Sequence, residues 1–451
     1  MAKCRYKGCK FEAWDKDPDG LCIYHSHNQD KGNDFWDAFW DGQKTKRPIN
    51  ALDKFNSNGK EFYNFQGFVF PGLANFEAIN FHLMANFSGA EFSEVADFLG
   101  AEFSGWADFS KATFSGKACF SRAKFSEETD FSKATFSGEA NFSKATFSGE
   151  ANFSGATVEN ADFSYADFKG QIFLQETIIK GNWTFRRADF LASAVFEKCK
   201  FENGQLIFDS VFMAEPEKIN FSLLGENARR VAFVNILVNT LKKVGFVGME
   251  FLDKGRIYTE DYLKKQEGYS ENGRLNKAGL ELSLAAYRGL RLNYEDSGLF
   301  SEARHFYIRE MKLKEELATY RKPRIYRWFY RWISPQAWYR HISNCGENYW
   351  KALGWLGSLW LLFTLLHLSF GIEHEGRVID YDLVWPPRFN FSWGDLGPTL
   401  FYSLKSLIPG FWMLGGKPAT IPDLFATVLE SVIGAIIITL FLLAVRRRFR
   451  R

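Results

Sequence analysis

The sequence predicts a chain of mixed class: a coiled β rod in the first half, a helical hairpin after it, and an all-α membrane domain at the end. Three observations predict this. Phenylalanine recurs at alternating steps of five and six over residues 76–153, the periodicity turns helical beyond residue 280, and two runs near the C-terminus are long, apolar and nearly free of charge. A chain of 451 residues needs several cores. Its net charge of +3 makes no case for nucleic acid, and none is expected as a partner.

Residues 1–30 carry Cys4, Cys9, Cys22 and His25 as C-x4-C-x12-C-x2-H, two soft ligand pairs separated by a loop of the length common in small zinc modules. So short a segment, poor in aliphatics, would draw its stability from a structural metal, and zinc is the expected cofactor. His27 is an alternative to His25. Four protein ligands leave no open coordination position and hence no catalytic role. The first ten residues are polar and hold no apolar leader, which places the N-terminal part in the cytosol. Within residues 31–60, Phe35, Trp36, Phe39 and Trp40 fall at helical spacing and predict an amphipathic helix capping the next domain.

Residues 61–252 hold the repeat. A small residue, usually alanine, stands two positions before nearly every phenylalanine, as in Ala85 and Phe87 or Ala107 and Phe109. On extended backbone both face inward, and the residue between them, such as Asn86, Asp97 or Asp108, faces solvent. The alternation lasts only two or three residues before a corner, so the chain must coil. Gly105, Gly116, Gly138 and Gly149 lie at corners, where positive φ is expected of them. Over residues 153–178 the steps read as uniformly five, through Val158, Phe163, Phe168 and Phe173, so the coil should tighten there.

The units Ala107-Asp108-Phe109-Ser110-Lys111 and Ala134-Thr135-Phe136-Ser137-Gly138 resemble the pentapeptide repeat family in its phenylalanine-rich form. The resemblance covers residues 74–168. It implies a right-handed quadrilateral β-helix of about 22 residues per coil that scaffolds or binds a cytosolic protein partner and catalyses nothing. Some members of that family imitate duplex DNA with an acidic surface, but here lysines such as Lys111, Lys117 and Lys133 interrupt it.

Residues 253–279 are polar, with several Gly and Lys, and predict a flexible linker. Residues 280–320 predict two antiparallel helices around the turn Asp296-Ser297-Gly298, and Gly298-Leu299-Phe300-Ser301-Glu302-Ala303 with Phe306-Tyr307 resembles half of a tetratricopeptide repeat. Residues 321–349 predict an interfacial helix, with Arg324, Arg327, Trp328, Arg331 and Trp332 as its anchors among membrane lipids.

Residues 350–451 contain charge-free residues 352–372 and the run 424–445, whose one charge is Glu430. Each is long enough to cross a hydrocarbon core ~30 Å thick. Arginines flank both on the far sides, so both termini are expected in the cytoplasm, beneath a plasma membrane of the bacterial inner type. Between them residues 398–412 are apolar, too short to cross and broken by Pro409-Gly410, which predicts a re-entrant half-helix. The order of span, half-helix and span resembles the two-transmembrane pore domain of the potassium channel superfamily. The resemblance implies a homo-oligomer, a tetramer, with a pore loop at Lys405, Ser406, Leu407, Ile408, Pro409, Gly410 and Phe411, and a hinge at Gly434. The chain departs from that family at the filter, where the threonines and second glycine are absent and Trp412 follows Phe411. Lys405 would either ring the pore and repel cations or pair with Glu430. Glu430 is costly in lipid and is expected to brace the inner helix against the half-helix. His367 is expected to pack or to lie near the outer interface. The expected function is an ion channel-like membrane protein with a cytosolic sensor or docking rod, the alternative being a membrane-anchored scaffold that does not conduct. No motif places a nucleophile beside a base, so no enzyme is expected.

Overall fold

A computed structural model describes residues 2–7, 9–40, 52–53, 61–221, 230–246, 257–346, 348–379, 381, 392–407 and 417–449. It divides into two compact units, Met1–Leu313 and Lys314–Arg451.

The first unit is built on a β-solenoid of about seven turns over residues 63–234. Four parallel ladders start at Tyr63, Val69, Ala74 and Asn80, which pair with Ala85, Glu91, Ala96 and Glu102 of the next coil. Each coil is therefore 22 residues with four sides, which is two of the eleven-residue units. Most strands are only two residues long, and they alternate one inward residue with one outward. Inside, the alanines and phenylalanines are excluded from water: Ala85, Phe87, Ala96 and Phe98 are all fully buried.

The aromatic core follows from the strand spacing. Phe76, Phe98, Phe120 and Phe142 form a column in which successive rings are 4.8, 4.8 and 5.0 Å apart and nearly parallel. A second column, Phe87, Phe109, Phe131 and Phe153, repeats this at 4.8, 5.0 and 4.9 Å. The columns meet edge to face, as Phe87 and Phe98 do at 88°. Both geometries suit the ring quadrupole, and each buried phenylalanine contributes about 1.5–3 kcal/mol through area alone.

The corners correct one expectation. Gly105, Gly116, Gly138 and Gly149 are absent from the left-handed region; they are glycine because stacked backbones touch there. A Cβ on Gly138 would lie 2.5 Å from the Gly116 carbonyl oxygen, and one on Gly116 would lie 2.4 Å from that of Glu94. The left-handed residues belong to the other, five-residue steps, two places after phenylalanine: Gly89 and Gly100, then Lys111, Arg122, Lys133 and Lys144. The outward Asn or Asp before that phenylalanine holds this turn. Asp108 Oδ1 accepts from the Ser110 amide at 2.9 Å, and Asn141 Oδ1 from Ser143 at 2.9 Å.

A second correction concerns phase. Phe147 pairs with Phe168 and Ala151 with Ile172, one residue short of the regular interval, but Phe168 with Phe190 restores it. The coil tightens once, by one residue. Ile172 and Leu174 are the inward pair, and Phe173 between them is half-buried and not part of the core.

Both ends are closed. α1 (Gly32–Phe39) lays Phe35 and Phe39 on the first coil, Phe39 lying 5.6 to 5.9 Å from Phe65, Phe70 and Phe76. At the other end stand α2 (Val238–Leu241), α3 (Tyr258–Lys265), and the antiparallel pair Ser270–Glu271 and Arg274–Leu275. Thus from residue 257 the expected flexible linker is built into the rod's end; residues 253–256 lie outside the described residues. Thr259 Oγ1 donates to the Phe233 carbonyl and accepts from its amide, satisfying the last ladder's exposed backbone. The hairpin follows as α4 (Lys277–Asp296) and α5 (Phe300–Ala318), and Asn293 Nδ2 donates to the carbonyls of Leu241, Lys242 and Val244.

In the second unit the expected single interfacial helix is two, α6 (Arg324–Trp332) and α7 (Pro335–Ser343). Ser334 ends the first and caps the second, accepting from the Ala337 amide, with Pro335 in the first helical turn. α8 (Tyr349–Phe370) and α10 (Ile421–Phe449) are long and apolar enough to cross a membrane. Between them come a small antiparallel sheet of Ile372–His374, Arg377–Ile379 and Lys417–Pro418, and α9 (Trp393–Ser406).

Candidate functional site

Two clusters of polar chemistry stand out, one in each unit. In the first, the ligand atoms of Cys4, Cys9, Cys22 and His25 all lie within 4.8 Å of one another. The chain makes this possible by a turn at residues 22–25, where the His25 amide donates to the Cys22 carbonyl and brings Cys22 Sγ to 3.0 Å from His25 Nδ1. Cys9 Sγ is 3.7 Å from Cys22 Sγ, and Cys4 Sγ is 3.8 Å from His25 Nδ1. A tetrahedron with metal–sulfur bonds of ~2.3 Å has sulfur–sulfur edges of about 3.8 Å, so the donor set fits a metal ion.

The surroundings agree. His25 Nε2 faces the Gln66 carbonyl at 3.1 Å, which fixes its proton there and leaves Nδ1 for a ligand bond. The Cys22 amide donates to Cys4 Sγ at 3.0 Å. The Cys22 hydrogen bond pulls the Cys9 thiol down to about 4, while the same bond and burial push Cys22 up. A dication bound here would displace the thiol protons. His27 is exposed and stands 3.4 Å from Glu91, away from the cluster.

In the second unit α9 is lodged against α8 and α10 by buried polar side chains. Trp360 Nε1 donates to the Leu400 carbonyl at 2.9 Å, and Ser403 Oγ reaches Glu430 Oε1 at 2.5 Å. His367 lies between the two acids of α10, with Nδ1 2.5 Å from Asp423 Oδ1 and Nε2 2.9 Å from Glu430 Oε2. Tyr402 OH donates to Asp423 Oδ2 at 3.3 Å and meets Thr427 Oγ1 at 3.0 Å. His367, Asp423, Glu430 and Ser403 are fully buried.

The residues singled out in the sequence fall as follows. Glu430 touches both α9, through Ser403, and α8, through His367. Lys405 does not pair with it; its ammonium stands 4.4 Å from the Phe401 ring centroid. Gly434 lies inside the unbroken α10, where a Cβ would come within 2.6 Å of the Leu407 carbonyl, so close packing requires it. Ser406 and Leu407 are buried, whereas Ile408, Pro409, Gly410 and Phe411 lie outside the described residues. Arg324, Arg327, Trp328, Arg331 and Trp332 are all exposed along α6 and border a cavity of about 310 Å³ that Glu315 and Glu316 also line. Sequence reasoning missed Asp423, Tyr402 and Ser403. The available signal was the seven-residue spacing of Asp423 and Glu430, which puts both on one helical face opposite the span holding His367.

Residues 65–113, 109–157 and 131–182 match the family described as pentapeptide repeats (9 copies). No curated protein and no solved structure matches the chain.

Proposed function

We propose that the chain is an ion-conducting, homo-oligomeric membrane protein with a pentapeptide-repeat rod as its cytosolic docking or sensing domain. The observation that carries this reading is α9. Its 14 residues span about 21 Å, too short for a hydrocarbon core of ~30 Å, yet its polar side chains are buried against two helices that are long enough. A plain anchor has no use for a third, short helix fixed in this way; a pore loop does. Large apolar side chains remain exposed on α8 and α10, among them Leu361, Leu365, Phe425 and Val432, and suit lipid or neighbouring copies of a tetramer. Basic α6 and the arginines within residues 446–451 support a topology with both termini in the cytoplasm.

The proposed metal is a structural zinc, which three thiolates and one imidazole would hold with no open position. Catalysis forms no part of the proposal: Ser403 donates to Glu430 and not to His367, so the histidine is not set as its base.

A second reading, a membrane-anchored scaffold without conduction, is favoured by Ile408-Pro409-Gly410-Phe411-Trp412, which lacks the residues of a potassium filter. Ion flux into liposomes carrying the purified chain separates the two. Flux of a small cation or anion supports the channel, and Lys405→Glu then shifts charge selectivity. A monomer that passes no ion under any condition leaves the scaffold.

A further inference from the structure

Three fully buried ionisable side chains meet where the short helix docks, and the number of protons they need can be counted. Asp423 and Glu430 face α8 from one side of α10, and His367 fills the gap between them. α9 contributes Tyr402 to the first acid and Ser403 to the second. Thr427 completes the set from α10, bonded to Tyr402. Among the described residues no other cation reaches either carboxylate, since Lys405 of α9 is turned to Phe401.

A neutral imidazole has one N–H and would turn a lone pair toward one of the two acids. With the fewest protons, both contacts at 2.5 and 2.9 Å are satisfied in two ways. Either the ring is imidazolium between two carboxylates, or it is neutral and one acid is a carboxyl that donates to it. Both carry the same protons and a net charge of −1. Removing one proton leaves two carboxylates sharing a single N–H in a medium of low dielectric. Adding one discharges the cluster and leaves a carboxylic acid in place of an ion pair. Either change alters the acceptors offered to Tyr402 and Ser403, which hold α9.

We propose that Asp423, His367 and Glu430 form a proton-binding site, and that its occupancy sets how firmly α9 is held to the two long helices. The site deepens the pore reading by naming its regulation, and rests on that reading only for what movement of α9 would do. Proton binding does not require conduction.

Three measurements on the full-length protein in lipid nanodiscs and liposomes test it. The first is the infrared carboxyl signal between about pH 5 and about pH 9. Wild type is expected to gain and lose a buried carboxyl band, Glu430→Gln or Asp423→Asn to abolish part of it, and His367→Gln to move its midpoint by about one pH unit or more. A wild-type spectrum flat over this range, or one that titrates identically in His367→Gln, overturns the proposal. Because these variants remove buried partners and can fail to fold, Tyr402→Phe and Ser403→Ala serve as a second pair. They keep all three ionisable groups, so the band should remain while the dependence of thermal stability on pH flattens; unchanged dependence in both overturns the link to α9. The third measurement is flux against pH. Carboxyl titration with no flux at any pH removes the pore reading and leaves the proton site standing. Flux that ignores pH in wild type removes the proposed regulation and leaves the pore.

Discussion

Arg309 closes on both carboxylate oxygens of Glu260, its Nε 2.7 Å from Oε1 and its Nη2 against Oε2. This fork joins α5 to α3 at the end of the solenoid. Glu260 is fully buried in the first turn of α3 and also accepts from Tyr287 OH at 2.6 Å. Three elements thus converge on one acid.

Burial pushes the Glu260 carboxyl up, but Arg309 and then Tyr287 together hold it below the usual carboxylate range. A group whose folded value is depressed stabilises above its unfolded value, about 4.3 for Glu, and loses that contribution as pH falls through the folded one. Glu260→Gln is expected to lower the local stability of α3 to α5 by about 2–4 kcal/mol at neutral pH, because Arg309 is left without its acid. Hydrogen exchange of those amides measures it. The difference from wild type should shrink as pH falls below about 4, where the unfolded chain takes up its proton first, and be lost only once pH has passed the depressed folded value, where wild type is itself neutral. A difference that persists undiminished would assign the effect to shape and not to charge.

Two kinds of glycine stand in the coils, and they should respond differently to alanine. A Cβ on Gly138 meets the backbone of the coil beneath, at Gly116, where strand stacking leaves nothing free to move; about 2–3 kcal/mol of destabilisation is expected. Gly89 has φ +63° but nothing within 4 Å, and its equivalents Lys111 and Arg122 already hold side chains in that region. Gly89→Ala should cost about 1 kcal/mol, the ordinary penalty of a left-handed L-residue. Denaturant titration followed by circular dichroism compares them, and equal costs would remove the close-approach argument.

The rod was legible in the sequence because its inward residue is both frequent and large, so period and facing could be read from phenylalanine alone. The same reliance misread Phe173. There the inward pair is Ile172 and Leu174, and only the pairing of Ala151 with Ile172, 21 residues on, reveals it. The corner glycines were misread because the atoms that forbid a Cβ belong to the previous coil. Of the cluster around His367 only the bracing role of Glu430 was read, for a related reason: its members come from three helices, and the others look like stray polar residues until they meet. The phase assignment is testable. Leu174→Ala should cost about 2–4 kcal/mol and Phe173→Ala under about 1, although phenylalanine is the larger residue. The reverse order would restore the uniform five-residue step.

The metal cluster offers the sharpest choice between two residues two apart. His25 Nδ1 lies within reach of Cys4 and Cys22, its ring stacks on Tyr6 with centroids 3.9 Å apart, and its far nitrogen is fixed by Gln66. His27 has none of these and is exposed. Metal analysis of the purified chain should therefore find zinc in wild type and in His27→Ala. In His25→Ala affinity should fall by more than about 100-fold, beyond what losing a group hydrogen-bonded to a ligand costs. Lys31 separates ligation from support. It is fully buried, and its ammonium donates to the carbonyls of Ile23 at 3.0 Å, Val69 at 2.6 Å and Ser26, tying the cluster's loop to the first coil. Lys31→Met should leave zinc bound but loosen the module by about 2 kcal/mol, because three buried acceptors lose their donor. Faster proteolysis before residue 40 with zinc content unchanged is the expected result; loss of zinc together with the lysine would make Lys31 part of the metal site itself.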